Sequence, residues 1–152
     1  MSTTRRETWG LRIVAIVTSM LMIAAAISAT LGSVLPRTAD PGAPVQLDLP
    51  QTLIGVVPFL VAAVLIIVAV WGLGAARETR ARAFVGLIRY VAAFGLLPMA
   101  IGGFWAGIGL GFGGIEHNSP AAVALFLYEV TYIAALVADI VLLIVALRVS
   151  PR

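Results

Sequence analysis

The sequence predicts an all-α, polytopic membrane protein whose four transmembrane helices form an antiparallel bundle. Of the 152 residues, 61% are apolar and only 11% are charged, and the mean hydropathy is +1.08. Water-soluble domains of this size do not have such a composition. In addition, the charged residues divide the chain into four apolar blocks, each long enough to cross a hydrocarbon core of about 30 Å.

The positions of the charges and prolines place the spans within one membrane domain, residues 1–152. The first block is too long for the apolar part of a cleaved signal peptide, so we expect a retained first span. Residues 35–50 contain four prolines and predict an outer aqueous loop, while Pro120 predicts the first turn of the last helix. The four spans are expected at about residues 13–33, 52–74, 83–110 and 121–147.

The distribution of arginines predicts the orientation, because basic residues near span ends resist translocation. Only Arg37 lies on one side. We therefore expect both termini in the cytoplasm and the chain in the cell (plasma) membrane, with its arginines against anionic lipid and no role in nucleic-acid binding. The other side carries Arg5, Arg6, Arg12, Arg77, Arg80, Arg82, Arg148 and Arg152.

Two parts of the chain resemble each other and suggest a tandem duplication of helical hairpins, residues 6–76 and 77–148. The tripeptide Arg-Glu-Thr at residues 6–8 recurs at residues 77–79, and a Gly-Leu pair with a nearby arginine follows each copy. Both copies would begin in the cytoplasm, as in parallel repeats. The alternative interpretation is that the matches arise by chance, because the chain uses few types of apolar residue.

Two ionisable residues inside the spans are expected to pair. Arg89 in the third span and Asp139 in the fourth lie at similar depths from the cytoplasmic end of their helices. An unpaired charge is costly inside a bilayer. We therefore predict an intramembrane ion pair between Arg89 and Asp139, with Arg12 of the first span as the alternative partner, and a mainly structural role for this pair.

Glu129 lies in the outer half of the fourth span, where no basic residue is expected at its level. A carboxyl group without a counter-ion is expected to be neutral there and to donate a hydrogen bond, for example to Ser28 or Thr30. It is therefore a candidate titrating site. Three aromatic residues near the same layer could line a small polar pocket or form an outer aromatic belt: Tyr128, Tyr132 and Trp105.

Small residues at four-residue spacing give the third span a helix-packing face, formed by Gly103, Gly107 and Gly111. Its neighbour could be another span of the same chain or a separate subunit. Pro58 and Pro98 fall inside the second and third spans, where each frees a backbone carbonyl that a neighbour must satisfy.

The residue inventory argues against catalysis and against bound cofactors or metals. There is no cysteine, and His117 is the single histidine, so thiolate chemistry, iron–sulfur ligation and bis-histidine haem ligation are excluded. No catalytic constellation is visible. We expect a protein without enzymatic activity that acts as an accessory or interaction subunit of a membrane complex, or as a homo-oligomer. The alternative is a small proton- or cation-coupled transporter or channel that uses Glu129.

Overall fold

In a computed structural model, which describes residues 3–38, 49–75, 78–112 and 115–149, all regular structure is helical. Each of the four helices is long and apolar enough to cross a membrane, and each covers one predicted span. The structure therefore confirms the four apolar helices expected from the sequence. They are α1 (Thr3–Val34), α2 (Leu49–Ala75), α3 (Glu78–Phe112) and α4 (Pro120–Arg148).

Local sequence signals explain where helices begin. The hydroxyl of Ser119 caps α4 by accepting a hydrogen bond from the backbone N–H of Ala122 at 3.3 Å, and Pro120 occupies the first turn as expected. Likewise α2 begins at Leu49 with Pro50 in its first turn, so the last two residues of the predicted loop 35–50 are helical. Residues 39–48 of that loop lie outside the described residues.

Each helix packs against two others. α1 lies against α2 and α4, and α3 lies against α2 and α4, while α1 and α3 barely touch. The α1–α4 contact is the most extensive of the four, and the α3–α4 contact is the least extensive. The inward faces of the four helices therefore form one shared interior.

Small side chains dominate the interior and allow close helix approach. Its alanines come from all four helices, and larger residues such as Met22, Phe59 and Leu142 fill the spaces between them. In contrast, the outward faces are apolar: Trp71 is 84% exposed and Met20 is 66% exposed. An apolar exterior around a close-packed interior suits hydrocarbon as the solvent.

Two backbone hydrogen bonds join the end of α1 to the connection before α4. The N–H of Glu116 donates to the carbonyl of Arg37 at 2.9 Å, and the N–H of Ala121 donates to the carbonyl of Pro36 at 3.2 Å. Because Ala121 is in the first turn of α4, its N–H has no partner within the helix. The residues that follow α1 thus satisfy a donor at the beginning of α4.

Candidate functional site

Among the aspartate, glutamate, histidine and arginine side chains whose burial the structure describes, Asp139 alone has no exposed surface. It lies on the buried face of α4, between Ala135 and Leu142. Neither of its carboxyl oxygens has a hydrogen-bond partner among the described residues. The residue therefore faces the interior of the bundle rather than lipid, but without the partner that an ionised carboxylate requires.

Two buried hydroxyl groups of α1 are committed to the backbone near this level. The Thr18 hydroxyl donates to the carbonyl of Val14 at 2.8 Å and also approaches the carbonyl of Ala138 at 3.2 Å. The Ser19 hydroxyl donates to the carbonyl of Ala15 at 2.9 Å. Contact with Ala138 places Thr18 beside the turn of α4 that carries Asp139. This role of Thr18 was not expected from the sequence, although two adjacent hydroxyl residues within an apolar span are the signal for it.

Arg89 does not hydrogen-bond to Asp139, whose carboxyl oxygens have no partner among the described residues, so the direct pair expected from the sequence is not the arrangement in the structure. Its Nε donates to the carbonyl of Ala146 at 2.8 Å and its Nη2 donates to the carbonyl of Val149 at 2.6 Å. Ala146 is seven residues beyond Asp139, about 10 Å along the helix axis. The side chain points to the end of α4 because the last carbonyls of a helix lack internal donors and carry partial negative charge.

Arg12, the alternative partner, makes an equivalent contact with a different helix. Its Nη2 donates to the carbonyl of Leu73 at 2.7 Å, and Leu73 lies in the last turn of α2. The Nε of Arg12 is buried and has no acceptor among the described residues. Both interior arginines thus stabilise the C-terminal end of a neighbouring helix, and one of them retains an unused donor.

Comparison with known proteins adds no family to this geometry. No protein-family model matches the chain, and no significant match was found among curated proteins or solved structures.

Glu129 lies on the exposed surface of α4, not inside the bundle. The adjacent residue, Tyr128, is fully buried, and one residue along an α-helix corresponds to a rotation of about 100°. Glu129 makes no hydrogen bond with Ser28, which is buried, and Thr30 donates to the carbonyl of Ala26 instead. The expected interior hydrogen bond is therefore absent among the described residues, because helix rotation turns Glu129 outward.

The three aromatic residues predicted near that layer divide between interior and exterior. Tyr128 is fully buried and its hydroxyl donates to the carbonyl of Gly103 at 2.9 Å. Tyr132 stacks on it with ring centroids 5.9 Å apart, and its hydroxyl donates to the carbonyl of Ala100 at 3.0 Å. Trp105 is 57% exposed. The two tyrosines thus join α4 to α3, and only the tryptophan is exposed as an aromatic belt requires.

The glycine face is used within the chain at the one member whose surroundings are described. A Cβ at Gly103 would collide with the ring of Tyr132, so this glycine provides space for an aromatic residue of α4. The neighbouring Gly102 faces the backbone of α2 at Ile54. For Gly107 and Gly111 the structure describes the helical backbone and not the packing around it. Position 103 therefore supports intramolecular packing.

An apolar groove follows the seam between α2 and α3. One part has a volume of about 330 Å³ and is lined by residues such as Val61, Phe94 and Gly95. It shares Pro58 and Pro98 with an adjoining part nearer the beginning of α2. The groove opens outward and offers apolar contacts, so a bilayer would fill it with hydrocarbon.

Proposed function

We propose that this protein is an integral membrane interaction subunit without catalytic activity of its own, which assembles with another membrane protein or with copies of itself. The observation that carries the proposal is the exposed position of Glu129 on α4. The residue lies nine positions after Pro120, about 13 Å along the helix axis. α4 has 29 residues, a length of about 43 Å, so a hydrocarbon core of about 30 Å centred on the helix would begin about 7 Å from Pro120 and would include the carboxyl group.

A carboxyl group on a lipid-facing surface is costly, whether it is ionised or neutral. Ionisable residues in membrane spans almost always face the protein interior or a water-filled cavity. A hydrogen bond from a neighbouring subunit would satisfy Glu129, and polar residues commonly join transmembrane helices in this way. Exposed Phe126 and Ile133 flank Glu129 and would supply apolar contact around the polar one.

The proposed topology is an antiparallel bundle with both termini in the cytoplasm. The proposed location is the plasma membrane. Two contacts support the antiparallel arrangement: Arg12, early in α1, reaches Leu73 at the end of α2, and Arg89, early in α3, reaches Ala146 at the end of α4. The concentration of arginines at these ends supports their cytoplasmic location. There they would also contact anionic lipid headgroups.

The test is to determine the assembly state in a bilayer and its dependence on Glu129. The full chain is purified from its native membrane in mild detergent or lipid nanodiscs, and co-purifying subunits and oligomers are measured by native mass spectrometry. We expect a discrete complex that Glu129→Leu dissociates and Glu129→Gln retains, because glutamine keeps the hydrogen bond. The control is Val137→Leu, which changes an exposed residue of α4 without removing a polar group.

Cysteine cross-linking distinguishes self-assembly from assembly with another protein. Ile133→Cys lies near Glu129, whereas Ile67→Cys lies on the exposed face of α2, and the natural chain has no cysteine. A disulfide-linked dimer from the first variant alone supports a homo-oligomer through α4. A monomer whose properties are the same with Glu129 and with leucine would overturn the proposal.

The alternative function, proton- or cation-coupled transport through Glu129, predicts flux in proteoliposomes that Glu129→Gln abolishes. Within a single chain this residue faces outward, so such a pathway would have to form between subunits.

A further inference from the structure

We propose that Asp139 binds and releases a proton inside the helix bundle, and that Arg12 and Arg89 provide the positive charge that meets the carboxylate when the proton leaves. This site differs from Glu129 in position and chemistry. The inference does not depend on the proposed assembly, since every group involved belongs to one chain.

The surroundings of Asp139 indicate its protonation state. Its side chain is fully buried, and neither carboxyl oxygen accepts a hydrogen bond from a described residue. An ionised carboxylate is stable in such surroundings only when cations or several donors surround it. The arrangement therefore fits the protonated, neutral form of the side chain.

The neighbouring helices supply few groups that would stabilise an ionised Asp139. From α1, the Thr18 and Ser19 hydroxyls already donate to backbone carbonyls, so neither proton is free to stabilise a carboxylate. α2 has no ionisable side chain between Leu49 and Ala75. Among the described residues, Arg12 on α1 and Arg89 on α3 are half-buried and donate to the ends of neighbouring helices, whereas Arg80 and Arg82 of α3 are exposed. On α4 itself, Glu129 is exposed and Arg148 is in the last turn.

The arginine side chains would have to move along the bundle to reach Asp139. Thr18 contacts Ala138, and Arg12 precedes Thr18 by six residues, about 9 Å along α1. The long arginine side chain can cover much of this separation. The Nε of Arg12 is buried without an acceptor, so a new bond from it to a carboxylate would satisfy two unpartnered groups together.

The proton balance of the step is simple. On release, the O–H bond of the Asp139 carboxyl group breaks, the proton passes to water, and the negative charge stays on the carboxylate. Arg12 then donates to the carboxylate in place of the carbonyl at the end of α2, or Arg89 does so in place of the carbonyls at the end of α4. Proton uptake reverses the exchange and restores the contacts seen with Leu73, Ala146 and Val149.

The test is infrared spectroscopy of the full chain in lipid nanodiscs with isotope-labelled aspartate. The sequence contains only three aspartates, Asp40, Asp48 and Asp139. We expect the carbonyl band of a protonated aspartate near neutral pH, its reversible loss as the pH is raised, and its absence in Asp139→Asn. Asp48→Asn is the matched control and should keep the band.

Two further variants test the role of the arginines. An arginine that donates to the carboxylate stabilises its ionised form, so removing that arginine should make the proton harder to release. The labelled band of Arg12→Gln or Arg89→Gln should therefore persist to higher pH than the band of the wild type. Glu129→Gln should leave the titration unchanged. The proposal is overturned by a wild-type protein that lacks the band at neutral pH, by a band that survives in Asp139→Asn, or by a titration that neither arginine variant shifts. The wild-type measurement is decisive even if a variant fails to fold.

Discussion

The carbonyl oxygen of Ile54 faces Gly102 so closely that a methyl group at position 102 would lie 2.9 Å from it. Pro58 explains why this carbonyl is available, because proline has no N–H to donate to the residue four positions earlier in the helix. The α2 and α3 backbones can therefore approach each other at this point, where a larger side chain would separate them.

We predict that Gly102→Ala destabilises the protein by about 1–3 kcal/mol, since the added methyl group meets backbone and not a flexible side-chain end. The measurement is the free energy of unfolding in mixed micelles. The control is Gly86→Ala in the same helix, where a Cβ would meet nothing within 4 Å. There alanine should leave stability unchanged or raise it by up to about 1 kcal/mol through helix propensity. Equal effects at the two positions would contradict the close approach.

The tyrosine hydroxyls that join α4 to α3 give a second prediction. Tyr128→Phe should lower the free energy of unfolding by about 1 kcal/mol, because it removes the buried hydrogen bond to the Gly103 carbonyl while keeping the ring. Tyr132→Phe should have a similar or smaller effect, since Tyr132 is only partly buried. Tyr90→Phe, at a position 61% exposed, is the control and should change little. A stable Tyr128→Phe protein would show that ring packing alone joins these helices.

A third prediction concerns the arginine contact with the end of α4. Arg89→Gln should destabilise the protein by about 1.5–3 kcal/mol, because two charge-assisted hydrogen bonds to backbone carbonyls are lost. Unfolding in micelles provides the measurement, and faster amide hydrogen exchange in the last turn of α4 would localise the effect. Arg82→Gln removes the same charge from an exposed position of α3 and should be nearly neutral. Indistinguishable exchange in the two variants would count against this capping role.

The proposed topology gives a fourth prediction, which the cysteine-free sequence makes simple to test. His117→Cys, at an exposed position of the α3–α4 connection, should react in intact cells with a thiol reagent that cannot cross the membrane. Arg80→Cys, exposed near the beginning of α3, should react only after the membrane is opened. The reverse pattern would place both termini outside the cell.

The four helices were predictable because span length and charge position depend on the bilayer and not on packing detail. The orientation of side chains around each helix was not. Residues on all faces of α4 are apolar, so no periodic pattern distinguishes its buried face from its lipid-facing one. Asp139 and Glu129 therefore looked alike as interior candidates, although the structure buries the first and exposes the second.

The partners of the interior arginines were unpredictable for a related reason. Matching the depths of Arg89 and Asp139 treats the carboxyl group as the only acceptor, whereas the free carbonyls at helix ends are acceptors that the sequence does not display. The structure shows both Arg12 and Arg89 bound to such carbonyls. Depth alone therefore identifies a level in the membrane but not a bonding partner.

Arg12 joins α1 to the C-terminal end of α2 through the Leu73 carbonyl. Arg89 joins α3 to the C-terminal end of α4 through the Ala146 carbonyl in the same way. Each pair is thus closed at both ends, by its connecting loop and by one guanidinium group. A polypeptide interrupted between Ala75 and Glu78 would leave two such closed units, each with its own fastening. When the two helix pairs are co-expressed as separate pieces, we expect them to reassemble through the α1–α4 and α2–α3 contacts.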